Sequence, residues 1–286
     1  MIKQLFSSAA LVFSFATCSV FAAPVDLGNA GNYTLLATGT SVWNGQQLYG
    51  NLELGSEAEI HGNVGVRNTL NMAHGSVIDG DADFGSLTQN PGASIDGAAT
   101  AQGSAFWDAL YADVKGASQT AKGLVGQSAG YINSTSTFNR QGELSVFNIT
   151  GLNLSAGNSL TLKGSLNDVF IINVDYFGFV LGGGAAIILD GISADNVLFN
   201  MHGILNAGHV NVAAGSMQGT YIAPDSYFQL GDGLDLGGVR FLGAGISGNL
   251  QTVNGISPPV TVPEPSALFL IGLGLVGLGI ARRRVN

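Results

Sequence analysis

A mainly β protein is predicted from this sequence: a right-handed β-solenoid with one long α-helix packed alongside, an N-terminal signal peptide and a C-terminal transmembrane helix. Three observations predict the β-solenoid and its helix. Short apolar strands recur between glycines at a regular interval, one separate stretch has helical spacing, and charge is scarce. Glycine accounts for 43 of 286 residues and charged residues for 10% of the chain, against roughly 25% in ordinary globular domains. Such a composition suits a turn-rich β domain.

The chain divides into four predicted segments: a signal peptide over residues 1–23, the body over 24–250, a linker over 251–261 and a terminal segment over 262–286. The signal peptide has Lys3 as its charged start and a cleavage site near Ala22. A second membrane anchor is the alternative, but the apolar run is short and interrupted by serines. The single cysteine, Cys18, lies inside this peptide, so the mature chain is predicted to lack disulfides.

The remaining body is acidic. Residues 23–262 keep six of the ten Lys/Arg and eighteen of the nineteen Asp/Glu, a formal net charge of −12. An acidic domain repels phosphate backbones, so the composition argues against nucleic acid as a partner.

The first part of the body repeats. Leu52-Glu53-Leu54, Leu70-Asn71-Met72 and Leu87-Thr88-Gln89 each precede a glycine and then an isoleucine, and these isoleucines stand at positions 60, 78 and 95. This near-constant interval predicts one solenoid turn per unit. Because strand side chains alternate, Leu52, Leu54, Leu70 and Met72 are expected to point inward. Gln89 breaks the alternation, as an edge or a corner would.

A helix is predicted over about 104–124. Its apolar residues have spacings of three and four: Phe106, Leu110, Val114, Ala117, Ala121 and Leu124. Ser104 is expected to cap the start, and Phe106 and Leu110 are expected to lie against the sheet. Two glycines weaken the helix by up to about 1 kcal/mol each, so packing must hold it.

After a predicted loop over 126–142, the strands resume. Residues 157–164 match the later segment 184–191. Further strands are predicted at Val169–Val174, Asn196–Met201, Val210–Val212, Thr220–Ala223, Tyr227–Leu230 and Val239–Leu242. The run at 169–172 is apolar on both faces, which is typical of strands covered on two sides, and the helix is expected to cover one of them.

The C-terminal segment has three parts in order: Pro263-Glu264-Pro265, an apolar run over Ala267–Ala281, and Arg282-Arg283-Arg284. A helix over that run would rise about 22 Å at 1.5 Å per residue, a minimal span that the arginines can lengthen. Three cations place this end in the cytoplasm and the body outside.

This tail resembles the PEP-CTERM sorting signal of Gram-negative bacteria. The resemblance implies that an integral-membrane processing enzyme of the exosortase type recognises and removes it, with transient anchoring in the inner membrane and delivery to the cell surface or extracellular matrix. An ordinary transmembrane anchor is the alternative.

The body resembles the bacterial ice-binding-like solenoid and is also similar to the choice-of-anchor A adhesin domain. Gly50-Asn51-Leu52, Gly62-Asn63-Val64, residues 196–200 and residues 219–224 carry the resemblance. It implies an adhesive or structural role within an exopolysaccharide matrix.

No catalytic residue is predicted. The four histidines lack a Gly-x-Ser-x-Gly or His-Glu-x-x-His context: His61, His74, His202 and His209. For paired-carboxylate chemistry the acidic residues are too many to single out a pair.

A cation site is a further hypothesis, with Ca²⁺ as the candidate ion. Asp79, Asp81 and Asp83 begin like an EF-hand loop, but Phe84 and Asn90 occupy the positions of its Gly and Glu. In the repeat, His61, Asp79 and Asp96 occupy equivalent positions, each directly after the isoleucine. Residues at equivalent positions in neighbouring turns would lie about 4.8 Å apart. A cation would relieve the repulsion, while solvation at an outer corner is the alternative. Asp232 and Asp235 are assigned to a turn.

The predicted function is therefore an exported, non-catalytic surface or matrix protein. Ice binding through a flat solenoid face and polysaccharide cleavage are the two alternatives.

Overall fold

The computed structural model describes residues 25–39, 42–43, 46–47, 50–175, 178–202, 209–212, 215–231, 234–248 and 250–256. One α-helix, α1, spans Ser104–Gly123, and two 3₁₀ turns span Gly28–Asn32 and Ala194–Asn196. The strands are β1 Tyr33–Ala37, β2 Val42–Trp43, β3 Gln46–Gln47, β4 Leu52–His61, β5 Asn63–Met72, β6 Val77–Ile78, β7 Ala82–Gln89, β8 Ser94–Ile95, β9 Ala99–Ala101, β10 Gln127–Ile132, β11 Ser136–Asn139, β12 Leu144–Leu154, β13 Ser159–Lys163, β14 Val169–Val174, β15 Phe179–Leu181, β16 Ala185–Asp190, β17 Val197–Asn200, β18 His209–Val212, β19 Gly215–Ser216, β20 Gly219–Leu230, β21 Leu234–Gly248 and β22 Leu250–Gly255.

Twenty of these strands join one sheet through parallel pairs, while β2 and β3 form a separate antiparallel pair. The parallel pairs fall into three ladders, which we call A, B and C. Ladder A contains residues 127–130, 144–149, 169–174, 197–200, 219–223, 239–243, 33–37, 63–66, 82–84 and 99–101. Ladder B contains 152–154, 179–181, 210–212, 227–230 and 245–248, then 52–54, 70–72 and 87–89. Ladder C contains 136–139, 159–163, 185–190, 215–216, 234–236, 252–254, 59–60, 77–78 and 94–95.

The chain visits the ladders in the order A, B, C, and we call one such passage a rung. Inward side chains from all three ladders form a single hydrophobic core, represented by Phe147 of ladder A, Leu152 of ladder B and Leu160 of ladder C. The three ladders therefore enclose one interior.

The predicted repeat is confirmed in register. Leu52 pairs with Leu70 and Leu70 with Leu87, and the three isoleucines of the repeat pair in the same way on ladder C. Leu52, Leu54, Leu70 and Met72 are buried as expected. Gln89 lies in the last rung of the stack, where its side chain is exposed, so an edge explains the broken alternation.

The helix is confirmed, with two corrections at its start. The N-cap is Gly103, with no side-chain cap hydrogen bond, so the expected cap by Ser104 is wrong. Trp107, not Phe106, is the buried aromatic, with 1% of its surface exposed, and its indole N–H donates to the Gln102 carbonyl at 3.2 Å. Phe106 is half-buried and packs edge-on against Trp107. Leu110 is buried as expected.

The strand at 169–174 is covered on two sides, as predicted. Phe170 and Ile172 belong to the interior of the three ladders. Ile171 points the other way and joins a second cluster with Leu110 and Val114 of the helix. Ladder A is therefore packed between the core and α1.

The loop predicted over 126–142 is wrong, because β10 and β11 occupy it and pair in parallel with β12 and β13. These strands form the last rung at their end of the stack, so half of their residues are exposed, and only Ile132 and Phe138 are buried. That leaves too little alternation to predict strands. At the other boundary, β22 extends to Gly255, inside the expected linker.

The signal peptide and the tail, including the expected transmembrane helix, lie outside the described residues. Among the residues that are described, no helix has the length and apolar character needed to cross a membrane.

Candidate functional site

The predicted stack of His61, Asp79 and Asp96 exists, at the turn from ladder C to ladder A. The isoleucines before these residues pair in register. The Asp79 carboxylate accepts a hydrogen bond from the Gly62 amide at 2.6 Å and contacts the His61 ring nitrogen Nδ1 at 2.6 Å. Burial would raise the pKa of Asp79, but the hydrogen bonds from His61 and Gly62 and the charge of His61 outweigh it and lower that pKa.

The other carboxylates of the metal hypothesis are bound to protein groups. Asp81 accepts from the Ala98 amide at 2.8 Å. Asp83 accepts from the Tyr33 hydroxyl at 2.6 Å and the Gln102 amide at 2.7 Å, and Asp96 accepts from a serine hydroxyl at 3.4 Å. Across the described part of the chain, no three His, Cys, Asp or Glu side chains converge as metal ligands. These carboxylates satisfy polar groups where the rungs turn.

A shallow pocket of about 230 Å³ lies at the same turn, lined by Asn32, Thr34, residues 61–63, Gly255 and Ile256. It is smaller than the roughly 300–1,000 Å³ pockets that enclose drug-sized ligands. His61 is its one titratable side chain. The Asp79 carboxylate, 2.6 Å from the His61 ring, lies outside this lining.

The remaining predicted residues are dispersed. His74 is exposed and lies 3.4 Å from Glu57. His202 is half-buried, and its pKa is lowered by burial and by Lys122. Asp232 and the side chains of His209 and Asp235 lie outside the described residues.

A buried asparagine ladder that the sequence analysis missed fixes the helix to ladder A. Asn148, Asn173 and Asn200 occupy paired positions. The Asn173 side-chain amide donates to the Asn148 side-chain oxygen at 3.0 Å, and the Asn200 side-chain amide donates to the Asn173 side-chain oxygen at 2.9 Å. Asn200 also exchanges two hydrogen bonds with Ser118, at 2.9 Å to its carbonyl and 2.7 Å from its hydroxyl. Asn173 donates to the Ala121 carbonyl at 2.9 Å, in the last helical turn, where that carbonyl also accepts from the Leu124 amide at 3.3 Å.

A signal for this ladder is present in the sequence. An asparagine directly follows apolar residues in three strands, in Ser145-Val146-Phe147-Asn148, Val169–Asn173 and Val197–Asn200. A repeated amide in a buried strand requires a polar partner, which the helix supplies.

Ladder B has a long uncharged stretch, which distinguishes it from the other two ladders. Ladder A is covered by α1, and ladder C carries charged groups, including the Lys163–Asp190 ion pair at 2.7 Å. The five ladder B segments from 152–154 to 245–248 contain no Asp, Glu, Lys or Arg. Their outward positions include Asn153, Gln229 and Ser247, all exposed, with Val180 between them. This gives a row of neutral side chains about 4.8 Å apart.

The last described residue, Ile256, lies at the turn from ladder C to ladder A. The Ile256 amide donates to the Val239 carbonyl at 3.2 Å, where ladder C passes into ladder A. Arg240, only 4% exposed, donates to the Ile256 carbonyl at 3.4 Å and to the Tyr33 carbonyl at 3.0 Å. One buried guanidinium thus holds β1 and the last described residue together, and burial lowers the pKa of Arg240.

Two known families match parts of the chain. Residues 17–251 match the family described as "Putative Ice-binding-like adhesive domain". Residues 261–284 match the PEP-CTERM protein-sorting motif. A search of curated proteins found no match.

Solved ice-binding proteins share the fold. The crystal structure of one from the Antarctic ascomycete Antarctomyces psychrotrophicus matches with a TM-score of 0.54 and 18% identity, over 80% of this chain and 97% of that one. One from an Antarctic bacterium, Flavobacteriaceae, matches at 0.55 and 20%, over 84% of this chain but 48% of the other. One from an Antarctic biological consortium matches at 0.51 and 16%, over 86% and 96%. At these identities the likeness shows the fold alone: mainly β with a single α-helix.

Proposed function

This chain belongs to the family of ice-binding-like adhesive domains and ends in a PEP-CTERM sorting motif, and from that premise we propose that it is an exported, non-catalytic adhesive protein of the cell surface or extracellular matrix. We infer that its three ladders form a right-handed β-solenoid and that ladder B contacts the ligand, an extracellular polysaccharide.

The observation that carries this proposal is the position of the chain exit. Because the ladders follow in the order A, B, C around one core, the turn from C to A lies opposite ladder B. Ile256, the last described residue before the sorting motif, lies at that turn. A domain tethered there presents ladder B away from the surface that holds it. Neutral Asn, Gln and Ser side chains offer donors and acceptors that suit sugar hydroxyls.

The sorting steps belong to the same proposal. An exosortase-type enzyme recognises Pro263, Glu264 and Pro265, while the apolar run and Arg282 to Arg284 hold the precursor in the inner membrane of a Gram-negative cell. Replacing Pro263, Glu264 and Pro265 by alanine is expected to leave a longer, membrane-retained protein. Unchanged length and location would show that these residues are not the signal.

An attachment assay tests the adhesive role. A strain that lacks the protein is expected to lose surface attachment or floc structure and to recover both with the wild-type gene. The Asn153→Lys/Gln229→Lys variant places two cations on ladder B and is expected not to restore attachment. The matched control is Thr252→Lys/Asn254→Lys, at exposed positions of ladder C, which is expected to restore it. Equal recovery with both variants, at equal exported amounts, would exclude ladder B as the contact surface.

Ice binding is the second candidate, favoured by the likeness of the fold to ice-binding proteins and by the neutral row on ladder B. The mature protein would then show thermal hysteresis and reshape growing ice, and the ladder B lysines would abolish both. Normal attachment in the deletion strain together with ice shaping would replace the adhesive role with this one.

A polysaccharide-cleaving role is the third candidate and has the least support, since the pocket beside His61 holds one titratable group. Release of reducing ends from acidic or neutral glycans by the mature protein would overturn the non-catalytic proposal.

A further inference from the structure

We propose that the ladder stack consists of two halves that can separate, and that two copies of this chain associate by exchanging these halves. Each half of one copy then pairs with the complementary half of the other. The exchange leaves the outward side chains of ladder B unchanged, so it is independent of the ligand that this ladder contacts.

The chain enters and leaves the stack in its middle, not at its ends. In ladder A, β1 lies between β21 and β5, and in ladder C, β22 lies between β21 and β4. From β1 the rungs run to one end of the stack, where β9 is the last strand. Helix α1 then leads to the other end, where β10 begins the rungs that return to β22. Residues 25–101 therefore form a first half and residues 127–256 a second half.

The two halves meet at one junction, which we call the seam. Within the described residues, the strand pairs that cross it are 35–37 with 241–243, Leu54 with Leu250, and 59–61 with 252–254. Ladder B contributes a single pair there, whereas its other neighbouring segments share three or more. Since α1 is the only covalent connection between the halves, the seam can open without threading the chain.

Both sides of the seam are apolar in the interior of the stack. Leu35 and Ile60 of the first half and Phe241 and Val253 of the second are at most 1% exposed, and all four belong to the single core. Opening the seam exposes them to water, and contiguous exposed apolar surface favours association. The partner that fits each side is the complementary half, which a second copy supplies with the same contacts and register.

The connection between α1 and β10 is suited to act as the hinge. It consists of Leu124, Val125 and Gly126, and Val125 is 98% exposed. Short connections of this kind favour exchange of an element between copies over closure within one chain. Three extended residues span about 10 Å, so the two exchanged stacks meet at their hinge ends.

Helix α1 has contacts that hold it to the first half when the hinge opens. Asp113 accepts a hydrogen bond from the Asn29 amide at 2.8 Å, and Asp108 forms an ion pair with Arg67 at 2.8 Å. The asparagine ladder of the second half bonds the C-terminal part of the same helix. In the exchanged dimer, α1 makes these asparagine contacts with the second half of the other copy.

The closed monomer and the exchanged dimer therefore differ mainly at the hinge. Every contact of the closed stack is present twice in the dimer, so its internal packing is unchanged. Within one chain, α1 keeps the two halves at a high effective concentration, which favours the monomer in dilute solution. A high protein concentration during folding favours the dimer.

Refolding of the mature protein from urea at low and high concentration, followed by sedimentation velocity and cross-linking, is the test. The Glu59→Cys/Thr252→Cys variant places one thiol on each side of the seam, at paired and exposed positions. The only native cysteine, Cys18, lies in the predicted signal peptide. A short bismaleimide is expected to join the two thiols within one chain in the monomer and between two chains in the dimer. The cross-linked dimer then runs at twice the chain mass on a denaturing gel.

Lys163→Cys/Asp190→Cys is the matched control. These positions are also paired on ladder C and exposed, but both lie in the second half, so their thiols are expected to be joined within one chain in both forms. Circular dichroism shows whether each variant folds, and His61→Cys/Asn254→Cys provides a second pair across the seam.

Two results would overturn the proposal. The first is a protein that refolds only to monomers at all concentrations. The second is a dimer in which the thiols across the seam are joined only within single chains, as in a contact between two closed stacks.

Discussion

Replacing Asn200 by alanine is expected to destabilise the domain and loosen α1 from ladder A. The Asn200 side chain is fully buried and makes three hydrogen bonds, one to Asn173 and two with Ser118. Alanine leaves the Ser118 hydroxyl without its acceptor and the Asn173 oxygen without its donor. Both residues are buried, with 3% and 2% of their surface exposed.

The expected loss follows from those two stranded groups. Leaving one buried polar group unsatisfied costs about 1–3 kcal/mol, so Asn200→Ala is expected to lower the free energy of unfolding by about 2–6 kcal/mol. That is a large share of the roughly 5–15 kcal/mol that holds a typical domain folded. Urea unfolding of the mature protein, followed by circular dichroism, measures it.

Two comparisons make the result specific. Asn153→Ala removes an exposed asparagine from ladder B and is expected to change stability by no more than about 0.5 kcal/mol. The double variant Ser118→Ala/Asn200→Ala removes both partners and is expected to cost less than the sum of the single changes. If Asn200→Ala lowered stability by under about 1 kcal/mol, the asparagine ladder would not hold the helix.

Three further changes test other contacts. Trp107→Ala should lower the free energy of unfolding, measured with urea, by about 3–5 kcal/mol, as for other buried tryptophans. Phe106→Ala should lower it less, because Phe106 is half-buried. Equal losses would mean that the wrong aromatic side chain was assigned to the helix–sheet interface. Asp225→Ala removes the acceptor of Tyr111, 3.0 Å away, and of Lys115, and should lower the free energy of unfolding by about 1 kcal/mol. An unchanged free energy would mean that solvent replaces both hydrogen bonds. Because the folded pKa of Asp79 lies below its ordinary value near 3.9, its ionised form stabilises the fold above about pH 4, and this contribution is lost as pH falls through the folded pKa. The Asp79→Asn variant should therefore lose Tm less steeply than the wild type below about pH 4, and parallel curves would contradict that assignment.

The repeat of the first strands was predictable because inward positions recur at a near-constant interval within one chain segment. Leu52, Leu70 and Leu87 pair as the spacing requires. The helix was predictable for the same reason, since Leu110, Val114, Ala117 and Ala121 define a single face. Local periodicity therefore specifies which elements form.

Contacts between distant segments were harder to predict. Trp107 and Phe106 are neighbours, and only the position of ladder A decides which one is buried. Asn173 and Asn200 each follow an apolar run, but that run does not show which element supplies the polar partner, because the partners lie in a helix that is 52 and 82 residues away in sequence. The repeat did predict that His61 and Asp79 lie close together. It did not predict that the Gly62 backbone amide donates to the Asp79 carboxylate.

Intact-mass measurement of the protein recovered from native cells tests the central claim most directly, when each cell fraction is measured separately. The expected product is a chain that begins at Ala23 or Pro24, lacks the arginine-rich end and is found outside the cytoplasm. An uncut chain from Met1 to Asn286, recovered from the cytosol, would contradict it.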